Sequence, residues 1–588
     1  MIAPPWTVRV AHLALIAVIL FTVLAGRLWT MQAVDGPRYL ELSEQNRIRD
    51  YVIPGPRGVI YDRRGAPIVT NRAAFTVAVM PMEVRHPERL AEALGPALKI
   101  DPAEIVEKIR AGRRRPFEPV PLRRDADKSV VLTIEENRLD LPGVVIQAEP
   151  VRDYVSRNLA SHALGYLGEI TESELRAKPG YRGGDLIGKT GVERTYNDEL
   201  RGEAGYLRVE VDVAGRPGRV LGRKAAKPGH SLVLNIDATL QRAAEEGLRG
   251  KTGAVVALDP RNGEILVLAS SPTYDPAIFS GGISAANWRA LTADKQFPLV
   301  NRATEAAYEP GSVFKIVTGT AALAEGVATR STHFNCNGQL VLGRWVFRDL
   351  AAYGNIPFLR GVMVSCNVMF WTLGRSLGEE RLNAYSTGMG LGRTTGIDLP
   401  AESTGFVPSA AWKMRTWKEP WYPGDTLNMA IGQGWLQTTP LQIARMLGAV
   451  ANGGTLVRPI LARRLLGPDG SPVRQFTAEG TPLGIRVPPE ALETMREGLR
   501  MVVAGGTGRA AAVEGLNLAG KTGSSENPRG LPHAWFAGYG PVENPQLVVV
   551  AFVEHGRRGG IAAAPIVKAV FEAAKPMLGV QATGQGRP

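Results

Sequence analysis

The sequence holds only two cysteines in 588 residues, Cys336 and Cys366. That scarcity excludes a disulfide-stapled scaffold and any four-cysteine zinc or iron–sulfur site, and leaves room for one bridge. Concentrated positive charge is also lacking. The formal net charge is +13, yet the basic residues are dispersed. Their densest cluster, Arg113, Arg114 and Arg115, is short and reads as a solvated loop, so no nucleic-acid partner is expected. No internal repeat is visible. With 44% hydrophobic and 21% charged residues the chain is not disordered. Its 588 residues, at roughly 100 to 200 per domain, predict two to four domains.

What is present begins with an apolar N-terminus. Val10 to Ala25 contains no Asp, Glu, Lys or Arg, and the run extends from Thr7 to Met31 if Arg9 and Arg27 sit at the interfaces. Roughly 17 to 25 residues suffice to span a bilayer. The rival readings are a cleaved signal peptide ending near Ala25 and a buried core helix. Leu28, Trp29 and Met31 continue the apolar character past that cleavage site and favour an uncleaved anchor over 9–31, behind a short cytoplasmic segment 1–8. Arg27, Arg38, Arg47 and Arg49 follow the anchor and only Arg9 precedes it, so the positive-inside count opposes an exported body. Long domains translocate largely regardless of that count.

From 32 to about 225, short β-type runs alternate with turn clusters such as Pro54-Gly55-Pro56-Arg57-Gly58, and helices are expected over about 87–97 and 102–112. This stretch is poor in candidate nucleophiles and suits a spacer or docking module. From about Gly229 the texture changes. Leu232 to Ile236 reads as a strand and Ala238 to Leu248 as an amphipathic helix capped by Asp237. Ala254–Leu258 and Ile265–Ala269 read as a hairpin turning over Asp259 to Gly263. Gln546 to Val553 reads as a strong strand, Ala562 to Met577 as a closing helix, and 578–588 as a frayed polar tail.

One serine in the chain has a lysine three positions later, in Ser312-Val313-Phe314-Lys315. It follows a turn, Tyr308 to Gly311, and Phe314, Ile316, Val317 and Leu323 supply an apolar helical face. Helix positions i and i+3 are neighbours, so a partly desolvated amine at Lys315 could take the Ser312 proton, beside N–H groups able to hold an oxyanion. Alone, Ser-x-x-Lys arises often by chance. Ser365-Cys366-Asn367 lies in a strongly apolar segment, where a polar pair must find partners. Two other Ser-x-Asn triplets, at Ser156 and Ser525, read as surface turns. Of three Lys-Thr-Gly triplets, Lys189 and Lys251 read as structural or surface residues. Only Lys521-Thr522-Gly523 follows both other elements. Followed by Ser524 and backed by the strand-like run His533 to Tyr539, it offers an edge-strand slot for a carboxylate-bearing peptide.

Ser-x-x-Lys, Ser-x-Asn and Lys-Thr-Gly in that order are the signature of penicillin-recognising serine enzymes, and the sequence resembles a class B penicillin-binding protein over nearly its whole length. Arg57 to Gly65 and Gly191-Val192-Glu193 to Tyr196, with Leu200-Arg201-Gly202, resemble the pedestal motifs of that family. Trp421-Tyr422-Pro423-Gly424-Asp425-Thr426, Gly432-Gln433-Gly434 and Thr439-Pro440-Leu441-Gln442 resemble its elongation branch rather than its division branch.

The resemblance implies an α/β fold of the α+β type. Its parts would be one transmembrane helix, an elongated mixed pedestal over 32–225 with an inserted head region at about 80–165, and a transpeptidase domain over 228–577. That last domain would carry an antiparallel sheet flanked by helices. The implied activity is peptidoglycan cross-linking outside the cytoplasmic membrane. Ser312 would attack the D-Ala-D-Ala stem peptide, Lys315 would act as base and Asn367 would orient it. Ser365 and Lys521 would relay a proton to the leaving amine. Thr522, Gly523 and Ser524 would bind the substrate carboxylate, with the N–H groups of Ser312 and Ser524 as oxyanion hole. β-Lactams would acylate Ser312, and a RodA-type polymerase would be the membrane partner.

Cys366 stands where Asp is common and is expected as a packed thiol, although a bridge to Cys336 stays open in an oxidising compartment. His333, Cys336 and Asp349 form a metal-like set too irregular to predict zinc, and His533 is assigned to packing. No cofactor or metal is expected. A β-lactamase or β-lactam sensor shares the three motifs but would need fast deacylation or a signalling domain. A scaffold that only activates a polymerase would tolerate loss of Ser312.

Overall fold

The computed structural model describes residues 5–39, 48–113, 118–211, 217–528 and 530–580. Residues 1–4 of the expected cytoplasmic segment, Arg114 and Arg115 of the basic cluster, and the tail from 581 onward lie outside the described residues. The apolar N-terminus forms a helix over Pro5–Trp29. It continues as a π-helical turn, Thr30–Val34, so that 29 residues from Trp6 to Val34 are long and apolar enough to cross a membrane. At ~1.5 Å per residue this exceeds the roughly 30 Å of a bilayer core. None of its side chains is buried among the described residues, whereas a soluble core helix would bury an apolar face.

The chain divides into two compact units that are interleaved in sequence. The first comprises Met1–Pro56, Phe75–Glu149 and Gly202–Pro228. In it Ile48–Ile53, Gly205–Val211 and Pro217–Lys224 make a three-stranded sheet. Helices Pro87–Leu98 and Pro102–Gly112 form where expected. Each starts with a proline in its first turn, where no intrahelical N–H bond is lost, and Asp101 caps the second through the Ala103 N–H. Leu90, Leu94, Ile105 and Ile109 bury their shared face against Val77 and Leu122.

The second unit comprises Arg57–Ala74, Pro150–Arg201 and Gly229–Pro588. Its centre is a five-stranded antiparallel sheet in the order Ile265–Ser271, Gly253–Leu258, Leu547–Val553, His533–Gly540, Ala519–Ser525. The strand Leu547–Val553 is apolar throughout because both of its faces are covered. Val548, Val550 and Phe552 point into one core with Ile443 and Met446, while Val549, Ala551 and Val553 point into another with Leu240, Ala244 and Val570. Asp237 caps the helix Ala238–Gly247 through the N–H groups of Thr239 and Leu240. The closing helix runs over Ala564–Ala574. Leu578 packs into the second core rather than fraying, because that core still has an apolar face to cover at this point.

Arg57 and Glu193, from the two N-terminal motifs, meet inside this unit. The fully buried Glu193 carboxylate accepts from Arg57 Nε at 2.6 Å and from Arg152 Nε at 2.7 Å. Arg57 also donates to the Glu193 carbonyl and to Asn197 Oδ1, and Arg152 to the Gly58 carbonyl. Burial alone would raise the Glu193 carboxyl, but the charges of Arg152 and Arg57 outweigh it and hold the group below its ordinary value. Removing the shared carboxylate strands two buried guanidiniums. Glu193→Ala should therefore cost about 3–5 kcal/mol, whereas Glu203→Ala, which breaks an exposed pair with Lys227, should leave the melting temperature nearly unchanged. Thermal melts of the two variants beside the parent measure the difference.

Candidate active site

Three breaks in regular structure build the site. At the first, Gly311–Val313 forms a 3₁₀ turn and the α-helix starts only at Lys315, running to Ala324. Ser312 thus sits on the turn ahead of the helix rather than on the helix itself. First-turn N–H groups have no acceptor within their own helix, which leaves them for a ligand. The turn is pinned from three sides: Gly311 N donates to the Gly432 carbonyl, Tyr308 pairs with Thr438, and Trp535 Nε1 donates to the Glu309 carbonyl.

At the second, helix Phe358–Val364 ends in a Schellman motif. Ser365 adopts φ 61° and ψ 39°, Ser365 N donates to the Val362 carbonyl, and Cys366 N donates to the Gly361 carbonyl. Glycine normally occupies such a seat, and a serine there costs about 1–2 kcal/mol. The strained backbone turns both the carbonyl and the hydroxyl of Ser365 toward Lys315. A new helix, Asn367–Gly388, then starts at once.

At the third, the edge strand Ala519–Ser525 carries Lys521 to Ser524 with one side paired to His533–Gly540 and the other turned to the 3₁₀ turn. A Cβ on Gly523 would lie 2.8 Å from the Pro310 carbonyl, so only glycine lets strand and turn approach this closely.

The sequence-predicted residues converge. Lys315 Nζ donates to the Ser365 carbonyl at 2.8 Å, to Asn367 Oδ1 at 2.5 Å and to Ser365 Oγ at 3.2 Å. These bonds run to the Ser365–Asn367 triplet rather than to the Ser312 hydroxyl. Lys521 Nζ donates to the same Ser365 Oγ at 2.8 Å and to the Thr522 carbonyl at 3.0 Å. Both lysines are fully buried. Burial pushes Lys315 down to about 7, with Asp349 pulling in the opposite direction. Burial, then repulsion from Lys315, holds Lys521 well below the ordinary lysine value. A hydroxyl can accept from one amine while donating to another, so Ser365 can carry a proton between the two. Thr522 Oγ1 pairs with Thr507 Oγ1 at 2.8 Å, and the exposed Ser524 lends its Oγ to the Gly559 N–H at 3.4 Å.

Several residues take places other than those expected. Cys366 is no free packed thiol but is joined to Cys336 in a disulfide, since the strand His333–Cys336 lies against the start of the long helix. That bond and Asp349 dissolve the metal-like set. Asp349, which the sequence did not single out for the site, accepts from Asn367 N at 2.6 Å and Val368 N at 3.2 Å. Thr507 was also missed. Ser525 lies buried at the end of the edge strand, where pairing with His533 removes it from the surface. Lys189 pairs with Glu174, Lys251 caps the Gly247 carbonyl, and His533 packs on Tyr308 and Phe552.

Residues 253–572 match the penicillin binding protein transpeptidase domain and residues 52–234 the penicillin-binding protein dimerisation domain. Peptidoglycan D,D-transpeptidase MrdA of Acinetobacter baumannii is 34% identical over 95% of this chain and 86% of its own length. Among solved structures, the Helicobacter pylori penicillin-binding protein PBP2, solved in complex with MreC, superposes with a TM-score of 0.77 at 27% identity, covering 90% of this chain and 99% of that one. A structure described as structural coordination of polymerization and crosslinking by a peptidoglycan synthase complex gives 0.71 at 33% identity, covering 98% and 99%.

The close packing behind Ser312 is directly testable. A Cβ on Gly432, at φ 77°, would collide with the Gly311 carbonyl and Phe314, whereas one on Gly250, at φ 69°, meets nothing within 4 Å. Gly432→Ala should cost about 2 kcal/mol or more and Gly250→Ala only about 1 kcal/mol, by denaturant melts.

Proposed function

The chain belongs to the class B penicillin-binding proteins, as a peptidoglycan D,D-transpeptidase of cell-wall elongation, and from that premise we propose how its residues divide the work. Neutral Lys315 takes the Ser312 proton as Oγ attacks the carbonyl of the penultimate D-Ala of a donor stem peptide. The Ser312 and Ser524 N–H groups hold the oxyanion, and Asn367 fixes the Lys315 amine. Thr522 and Ser524 bind the terminal carboxylate, while Gly523 keeps the strand close enough for that contact. The C–N bond then breaks, and the departing D-Ala nitrogen receives a proton through Ser365 and Lys521. An acceptor-stem amine attacks the acyl ester, returns its proton by the same route and releases Ser312. A β-lactam enters as a donor mimic and stops at the ester.

The observation that carries this reading is the Ser365 hydroxyl within hydrogen-bond reach of two buried lysines. The long exposed N-terminal helix supports a single-pass anchor in the cytoplasmic membrane with the catalytic unit outside it. A RodA-type polymerase is the proposed membrane partner, supported by the likeness to a peptidoglycan synthase complex. Domain boundaries are assigned at 32–225 and 228–577, with the family matches in support.

A labelled penicillin should form an adduct on Ser312 that lasts minutes or longer and is lost in Ser312→Ala. Rapid release of hydrolysed drug would instead indicate a β-lactamase. Because Lys315 is effective only when neutral, acylation should rise with pH, falling about tenfold per unit below about 7 and levelling above it. Stopped-flow acylation between pH 5 and 9 gives the profile.

A further inference from the structure

We propose that Asp349 is a positioning residue of the transpeptidase site, clamping Asn367 through its backbone and thereby holding the amine of Lys315. The inference rests on the reading of Lys315 and Asn367 given above and deepens it. Residues 333–357 form an insert of two short hairpins, His333–Cys336 with Gly354–Pro357 and Gln339–Leu342 with Trp345–Arg348. The disulfide ties the first hairpin to Cys366, the residue between Ser365 and Asn367. Asp349 follows the second hairpin. Its N–H donates to the Gly338 carbonyl at 2.8 Å, and Tyr353 N donates to the Cys336 carbonyl at 2.7 Å, so the loop bearing the carboxylate is pinned to the hairpin that the disulfide anchors.

The carboxylate is fully engaged with backbone. Oδ1 accepts from Leu350 N at 2.7 Å, and Oδ2 accepts from Asn367 N at 2.6 Å and Val368 N at 3.2 Å. Those last two N–H groups open the helix that runs from Asn367 to a break at Gly378, and a negative charge is most stabilising at such an end. The side chain of that same Asn367 holds Lys315 Nζ at 2.5 Å. One carboxylate thereby fixes the residue that fixes the base. The charged groups facing Lys315 are Lys521 from the edge strand and Asp349 from the insert; Ser365, Asn367 and the Phe370 ring complete its surroundings. Asp349 in turn faces Tyr353, whose hydroxyl is raised by burial and then by the Asp349 charge. Among the described residues Asp349 is the negative charge that acts on Lys315, and it favours the protonated form of that amine.

Two variants separate the two effects. Asp349→Asn keeps an oxygen acceptor and removes the charge, whereas Asp349→Ala removes both. On the full-length protein, the pH profile of acylation by a labelled penicillin should shift its acid limb to lower pH in both variants, by about half a unit or more. The plateau rate should fall about tenfold or more in Asp349→Ala and less in Asp349→Asn. A merely structural residue would lower rates without moving the limb, so an unmoved limb in both variants overturns the inference. Hydrogen exchange of the peptide spanning 365–370 tests the clamp without relying on acylation. It should speed up in Asp349→Ala, and unchanged exchange overturns the inference. A parent protein that fails to label at Ser312 would sink the transpeptidase assignment, and the exchange result would still decide the clamp.

Discussion

One hydroxyl shared between two buried amines governs this site. Ser365 Oγ lies 2.8 Å from Lys521 Nζ and 3.2 Å from Lys315 Nζ, both lysines are fully buried, and among the described residues no carboxylate bonds to either amine. Two ammonium ions so placed would pay a desolvation penalty and repel one another through a medium far less polar than water. The arrangement therefore favours a single proton distributed over the pair, with the hydroxyl as its bridge. An amine able to accept a proton near neutral pH, next to one able to give it, is what acyl transfer between a serine and an amine requires.

Much of the surrounding structure follows from holding that hydroxyl in place. Ser365 occupies a left-handed helix cap at a conformational cost, and the two helices on either side are buried against the nucleophile helix and against Pro489–Gly505. Lys521 comes from the edge strand of the sheet, whose outer side no strand covers among the described residues. Gly311, Gly432 and Gly523 bring the serine turn against that strand, and Gly559 packs on the strand from another side. Such contacts leave little freedom for the reacting groups. Lys315, with its amine bonds directed to the triplet, is held by Ser365 and Asn367 while Ser312 stays half-buried on its turn.

The residues that gather in the candidate site were legible in the sequence wherever they stood out by local pattern. Ser312, Lys315, Ser365, Asn367 and Lys521 announced themselves by residue type and order, and the structure brings Lys315, Ser365, Asn367 and Lys521 into one hydrogen-bonded cluster. Helices with Pro in the first turn and strands buried on both faces were equally visible. Asp349 was not, because its partners are backbone N–H groups 18 and 19 residues away, which leave no trace in side-chain pattern. Thr507 reaches Thr522 by the same kind of remote contact. The pairing of Cys336 with Cys366 was one of two open readings, since spacing alone does not fix how close a strand and a helix start will lie. Nor could periodicity show that Arg57–Ala74 and Pro150–Arg201 pack with the C-terminal unit. The buried Arg57, Arg152 and Glu193 charges hold those two segments to each other, and contacts such as Arg64 with Asp237 and Tyr196 with Asp398 join them to the C-terminal part.

The most direct test of the shared proton is a nuclear magnetic resonance titration of lysine side chains labelled at Nζ and Cε, with Lys315→Arg and Lys521→Arg variants to assign the two signals. The account predicts that both lysines titrate far below the bulk of the lysines and that replacing either one by a permanent cation moves the other further down. Two ordinary lysine titrations above pH ~10 would contradict it.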